Sequence, residues 1–146
     1  MSEKKIAHRD LKLENILIKY ENKTKNIYTF KLTDFGISNK LLSLSKRFSS
    51  QVGTLNIMAP EILKGEKYDN ECDLWSLGVI IYILFFKSYP YTVLTEVGIL
   101  TQITKFGTKF LKKSNNFNYD NLIEGLLEIN PQKRLTWEKY FNHPFF

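Results

Sequence analysis

"AHRDLKLEN", Ala7–Asn15, sets two acids, two fixed cations, an imidazole and an amide side by side, immediately ahead of the apolar run "ILI". Taken singly, these residues have ordinary structural uses. Asp10 suits a turn and Asn15 a cap, because short polar side chains bond to nearby backbone. Such crowding ahead of an apolar strand invites a reading of the whole group.

Working outward, "NILIKY" (Asn15–Tyr20) and "NIYTFKLTDFG" (Asn26–Gly36) are rich in β-branched and aromatic residues, and the polar "ENKTKN" separates them. The pattern predicts two strands joined in a hairpin. "ISNKLLSLSKRFSSQVGT" (Ile37–Thr54) holds five serines and no lasting period. It reads as a long loop, and long loops inside compact domains are usually functional. "MAPEIL" (Met58–Leu63) opens a second part, with Pro60 and Glu61 suited to a first helical turn. "NECDLWSLGVIIYILFFK" (Asn70–Lys87) is apolar nearly all round, which predicts a buried helix with Asp73 as its cap. "SYPY" breaks it. Further helices are expected near Thr95–Phe106, Tyr119–Ile129 and Thr136–Phe141, with Asn130-Pro131 and His143-Pro144 closing the last two. The fold class is α+β, mainly α: a short β-hairpin followed by a helical body.

Composition narrows the classes. Of 146 residues, 43% are apolar and 25% charged, enough for one substantial core. The net charge of +6 raises nucleic-acid binding, yet Lys and Arg are scattered and form no long run, so a solvated basic surface is expected, with no nucleic-acid partner. Cys72 is the only cysteine, which excludes an internal disulfide and fits a reducing, cytoplasmic setting. No Cys/His spacing suits a metal cluster. The apolar run Leu74–Phe86 is too short for a bilayer, so no membrane partner is expected.

The chemistry lies in an ordered series. His8-Arg9-Asp10 is followed by Lys12 and Asn15, then Asp34-Phe35-Gly36, Gly53-Thr54, Ala59-Pro60-Glu61, Asp73 with Trp75 and Gly78, and Arg134. One such element alone is weak, but the order is specific. The series resembles the catalytic and activation segments of protein kinases, serine/threonine type, over nearly the whole chain.

The resemblance implies roles. Asp10 matches the carboxylate that takes the proton of the substrate hydroxyl, and Lys12 the cation that meets the transferred phosphate of ATP. Asn15 and Asp34 match the two Mg²⁺ ligands, oxygen donors suited to a hard cation. Leu17 matches the floor under adenine, and Thr33 lines the same pocket. Thr54 fits the serine/threonine subclass. Arg9, next to the base, implies control by a phosphate on the 37–54 loop, with Ser50 the expected acceptor, Ser49 second, and an upstream activating kinase as partner. Arg47 makes "RFSS" suit a kinase directed by basic residues. His8 is expected to pack against Phe35 beside Gly36. Asp73 implies a structural anchor for the His-Arg-Asp backbone. Glu61 and Arg134 imply a buried ion pair. The implied divisions are a catalytic loop at 7–15, an activation segment at 34–61 and a helical body at 62–146.

Some positions depart from the pattern. Ile57 stands where a Tyr is usual, Asn39 stands where a cation often supports the loop phosphate, and Tyr20–Thr29 lengthens the stretch between Asp10 and Asp34. The segment before His8 leaves no room for the Gly-rich, ATP-covering lobe of such a domain. The resemblance therefore implies the larger, C-terminal lobe. Two activities follow as expectations: transfer of the ATP γ-phosphate to a protein Ser or Thr, or a lobe without turnover that docks substrates and partners.

Overall fold

The computed structural model describes residues 7–22, 24–34, 55–93 and 95–146. The expected loop 37–54, with Ser49, Ser50 and Thr54, lies outside the described residues, as do Phe35 and Gly36.

A 3₁₀ turn over Leu13–Asn15 leads into β1 (Ile16–Asn22), which pairs antiparallel with β2 (Ile27–Leu32). β1 runs two residues beyond Tyr20 because Asn22 closes the turn. Its Oδ1 accepts the N–H groups of Thr24 and Lys25 at 3.0 and 3.1 Å. The register pairs Ile16 with Leu32, Ile18 with Phe30 and Tyr20 with Tyr28, so one face of the hairpin is apolar along its length. Ile16 and Leu32 reach the main core, whereas the other four are half exposed.

The helical body comprises α1 (Pro60–Leu63), α2 (Cys72–Phe86), α3 (Glu96–Phe106), α4 (Phe117–Leu126) and α5 (Trp137–Phe141). Its centre is α2, where Leu74, Trp75 and Val79 are completely buried. At 15 residues it is too short to span a bilayer, and none of the described helices is long and apolar enough to do so. Burial is not uniform: Leu84 and Phe85, near its C-terminal end, are half exposed. Gly78 permits the tight crossing with α4. A Cβ there would lie 2.8 Å from Leu126 and 2.9 Å from Leu127.

Caps explain most boundaries. Thr95, Asn116 and Thr136 each accept a backbone N–H from the first turn of α3, α4 and α5, at 3.2, 3.0 and 3.3 Å. Asn116 therefore starts α4 two residues before the expected Tyr119. The helix stops at Leu126, short of Ile129, because Gly125 gives its carbonyl to the incoming N–H of Leu135 (3.0 Å). Asp73 does not cap α2. It sits inside the first turn and turns its carboxylate elsewhere, while the first N–H groups of α2 bond to the carbonyls of Asp69, Asn70 and Glu71.

Candidate active site

The candidate site is built where the loop 7–15 meets the end of β2 and the start of α2. The buried Asp73 carboxylate accepts the backbone N–H of His8 at 2.6 Å and of Arg9 at 2.8 Å. Burial pushes the Asp73 carboxyl up from its ordinary value, and the two amides oppose that shift. Two charge-assisted bonds from successive amides fix the loop on the helix. They also help hold Arg9 at φ 69°, a left-handed conformation that a residue with a side chain rarely adopts. The Arg9 guanidinium lies over the ring of Tyr68, 5.5 Å from its centroid.

His8 is 1% exposed. Its Nε2 lies 2.8 Å from the carbonyl of Thr33, which makes Nε2–H the donor. That bond ties the loop to the residue before Asp34. A second tie joins Thr33 to Asn15: the Thr33 N–H and hydroxyl both donate to the Asn15 carbonyl, at 2.9 and 3.3 Å. Asp34 follows with its side chain exposed and φ at 65°. Left-handed backbone at two non-glycine residues costs of order 1–3 kcal/mol each and persists only where surrounding bonds fix it.

Asp10 is the centre of charge. Lys12 Nζ lies 2.8 Å from its Oδ2, and Asn15 Nδ2 donates to the same oxygen at 3.3 Å and to the Asp10 carbonyl at 2.8 Å. Asn15 is buried, and its amide N–H groups are spent on Asp10, so its oxygen is the atom left to ligate a cation. Leu17 is half exposed on the opposite hairpin face from Ile16 and Ile18, with Lys31 as its cross-strand partner. No group of three or more His, Cys, Asp or Glu side chains that could hold a metal ion occurs among the described residues.

Further along, Arg134 and Glu61 form a bidentate pair at 2.6 and 2.9 Å with almost no exposure. Arg134 also donates through Nε to the Glu128 carbonyl (3.0 Å) and through Nη1 to that of Glu71 (3.1 Å). Its guanidinium lies over Trp75, 5.2 Å from the ring. Ile57, where the family pattern has Tyr, is buried, and its carbonyl accepts the Ser76 hydroxyl at 3.0 Å. Burial holds the Cys72 thiol well above its ordinary range, so it is an inert core group.

The structure thus brings together Asp10, Lys12, Asn15 and Thr33 through direct bonds, with Asp34 one residue on. It places Glu61 and Arg134 apart from them. Sequence reasoning missed Tyr68 under Arg9 and the Thr33 carbonyl under His8. Neither has a signal in spacing, since both depend on how the loop folds over.

A family model described as the protein kinase domain matches residues 1–146. The chain is 39% identical over 150 residues to the probable serine/threonine-protein kinase fhkE of Dictyostelium discoideum, covering 98% of this chain and 21% of that protein. It is 35% identical over 141 residues to the serine/threonine-protein kinase TIO of Arabidopsis thaliana, covering 97% and 10%. With Aurora kinase B of Danio rerio it shares 34% over 143 residues, covering 98% and 42%. The chain therefore spans less than half the length of each of these relatives.

Proposed function

The chain belongs to the protein kinase family, and from that premise we propose that it is the catalytic part of a serine/threonine kinase that moves the γ-phosphate of ATP to a protein Ser or Thr hydroxyl. The observation that carries the reading is the Asp10 carboxylate, gripped on one oxygen by both Lys12 and Asn15. That grip leaves Oδ1 to accept the hydrogen bond, and then the proton, of a substrate hydroxyl. Lys12 is placed to meet the moving phosphate, whose negative charge it offsets. Asn15 and Asp34 offer one oxygen-bearing side chain each. Such a pair suits Mg²⁺, which is commonly held by one or two carboxylates plus the phosphates of its nucleotide. Bound there, Mg²⁺ would neutralise charge on the phosphates of ATP, which in turn would supply the phosphoryl group. Leu17 and Thr33 flank the Asn15 end of the hairpin, where adenine would rest.

Left-handed backbone occurs also at Asn26, Lys87 and Asn115, and of these five residues Arg9 and Asp34 are the two that flank the candidate catalytic groups. Under the same reading, 7–15 is the catalytic loop, 34–61 the activation segment and 62–146 the supporting body. Arg9 answers a phosphate placed on Ser50, or second on Ser49, by an activating kinase. The buried, inert Cys72 suits the cytoplasm.

A second reading, a lobe that docks partners without turnover, is favoured by one observation: the half-exposed apolar face of Ile18, Tyr20, Tyr28 and Phe30. One experiment separates the two. The full-length protein is incubated with γ-labelled ATP, Mg²⁺ and a mixture of Ser/Thr-containing proteins. Label should appear on Ser or Thr, and Asp10→Asn should slow its transfer by roughly 10²–10⁴-fold with unchanged thermal stability. Equal transfer by Asp10→Asn would sink the assignment of the base. No transfer by the unaltered protein, with partners still captured on the hairpin face, would establish the second reading.

A further inference from the structure

A groove of about 540 Å³ opens on the helical body, between the chain at Thr92–Val93 and the outer side of α3. It is a shaped feature. Thr92 donates through both its N–H and its hydroxyl to Gln102 Oε1 at 3.1 Å, which pins the wall to the helix. Thr95 caps α3 through Gly98, which fixes the entry. Gly98 itself lets the Val93 side chain lie against the helix, since a Cβ there would come within 2.2 Å of Val93 Cγ1.

The chemistry of the lining is one-sided. Val93 and Phe106 line it and are each nearly half exposed, an apolar pair that folding leaves open to water. Lys105 and Lys109 also line it, and among the described residues no acidic side chain does. Lys105 Nζ rests over the Phe106 ring, 5.2 Å from its centroid, so charge and apolar surface meet at one point. The groove lies outside the site already described, but α3 packs on α1, whose Glu61 pairs with Arg134.

We propose that this groove docks an acidic segment of a partner protein through one apolar side chain, which enters between Val93 and Phe106 while flanking carboxylates meet Lys105 and Lys109. Charge complementarity selects this occupant. A basic segment would meet two lysines with no counter-charge, and a purely apolar one would bury them unpaired. The apolar anchor supplies the affinity, and the lysines supply selectivity and a faster encounter. The inference needs no phosphate transfer, so it stands or falls apart from the kinase reading.

The test is fluorescence anisotropy of a short dye-labelled peptide with one Phe among Glu and Asp residues, titrated with the protein. Saturable binding is expected, weakening as salt rises. Replacing the peptide's Phe by Ala, or making Lys105→Glu with Lys109→Glu in the protein, should each weaken it roughly tenfold. The exposed pair Lys25→Glu with Lys133→Glu alters net charge equally and should change binding by less than about twofold. Absence of saturable binding would overturn the proposal. So would equal binding of the Ala peptide, or equal loss in the control pair, since either reduces the effect to general charge. Sedimentation as a dimer that Phe106→Ser dissociates would overturn it too, by assigning the groove to a second copy of the chain.

Discussion

The two ends of this molecule are stabilised by opposite means. At 7–34, most order comes from polar bonds: two amides on Asp73, a carbonyl under His8, two donors on one oxygen of Asp10, and left-handed backbone at Arg9 and Asp34. The apolar face of the hairpin stays half exposed there. In the body around α2, order comes from buried apolar surface, with Leu74, Trp75, Val79, Leu122 and Leu126 fully enclosed. A region meant to hold charges at fixed distances cannot rely on apolar packing, which is strong but has no direction. Hydrogen bonds have direction, and each gives only a modest net stabilisation. The polar end therefore borrows its rigidity from the apolar one, and Asp73 is where the two meet.

The largest expected stability effect lies in the body, at the buried Arg134–Glu61 charge pair. Arg134→Met leaves the Glu61 carboxylate buried without a cation and frees the carbonyls of Glu128 and Glu71. Breaking a buried pair from one side costs about 3–5 kcal/mol. Chemical denaturation should show that loss. Adding Glu61→Leu should recover much of it, because removing both charges removes the desolvation cost. Failure of the double variant to recover would mean that the contact of Arg134 with Trp75 and the carbonyls matters more than the pair, which would weaken the contrast drawn between the two ends.

Asp73→Ala tests the junction. The buried amide of His8 and the half-buried amide of Arg9 would lose their acceptor, at about 1–3 kcal/mol. The informative readout is local. Amide hydrogen exchange at His8 and Arg9 should accelerate far more than exchange in α4, because the loop depends on that carboxylate and α4 does not. Uniform acceleration across both would show that Asp73 merely supports the core, and that the loop has other anchors.

Much of this was legible in the residues, and the reasons differ by region. The hairpin was readable from its two runs of β-branched and aromatic residues around a polar turn, and α2 from an apolar run with no polar face. The grouping of Asp10, Lys12 and Asn15 was readable because all three lie on one short loop, so that spacing nearly is geometry. Asp73 was harder. Read as a helix-start residue it suggests a cap, yet its carboxylate serves amides some 64 positions away. No local pattern distinguishes these uses, and only the family resemblance pointed to the second. The early end of α4 was hidden for a similar reason, since it depends on Leu135 arriving at the Gly125 carbonyl. Tyr68 under Arg9 and the groove beside α3 were not legible at all. Both arise where separate segments meet, and neither segment carries a mark of the other.

The smallest expected effect belongs to the hairpin face. Phe30 is 60% exposed, touching Tyr28 edge-on at 5.4 Å and standing opposite Ile18. A large aromatic residue at that exposure contributes little by burial. Phe30→Thr introduces a β-branched side chain that also favours strands and loses only cross-strand contact, so the expected cost is below about 1 kcal/mol. Against the several kcal/mol at Arg134, that is a small loss, and a denaturation midpoint close to the unaltered protein's would sharpen the contrast. A loss as large as that of Arg134→Met would break it, because the hairpin would then be held by apolar contact, as the body is. The same substitution should lower retention on a hydrophobic-interaction column, since that face carries four of the chain's exposed large apolar side chains, Ile18, Tyr20, Tyr28 and Phe30. Reduced retention with stability intact would mark the face as surface kept for contact rather than for folding.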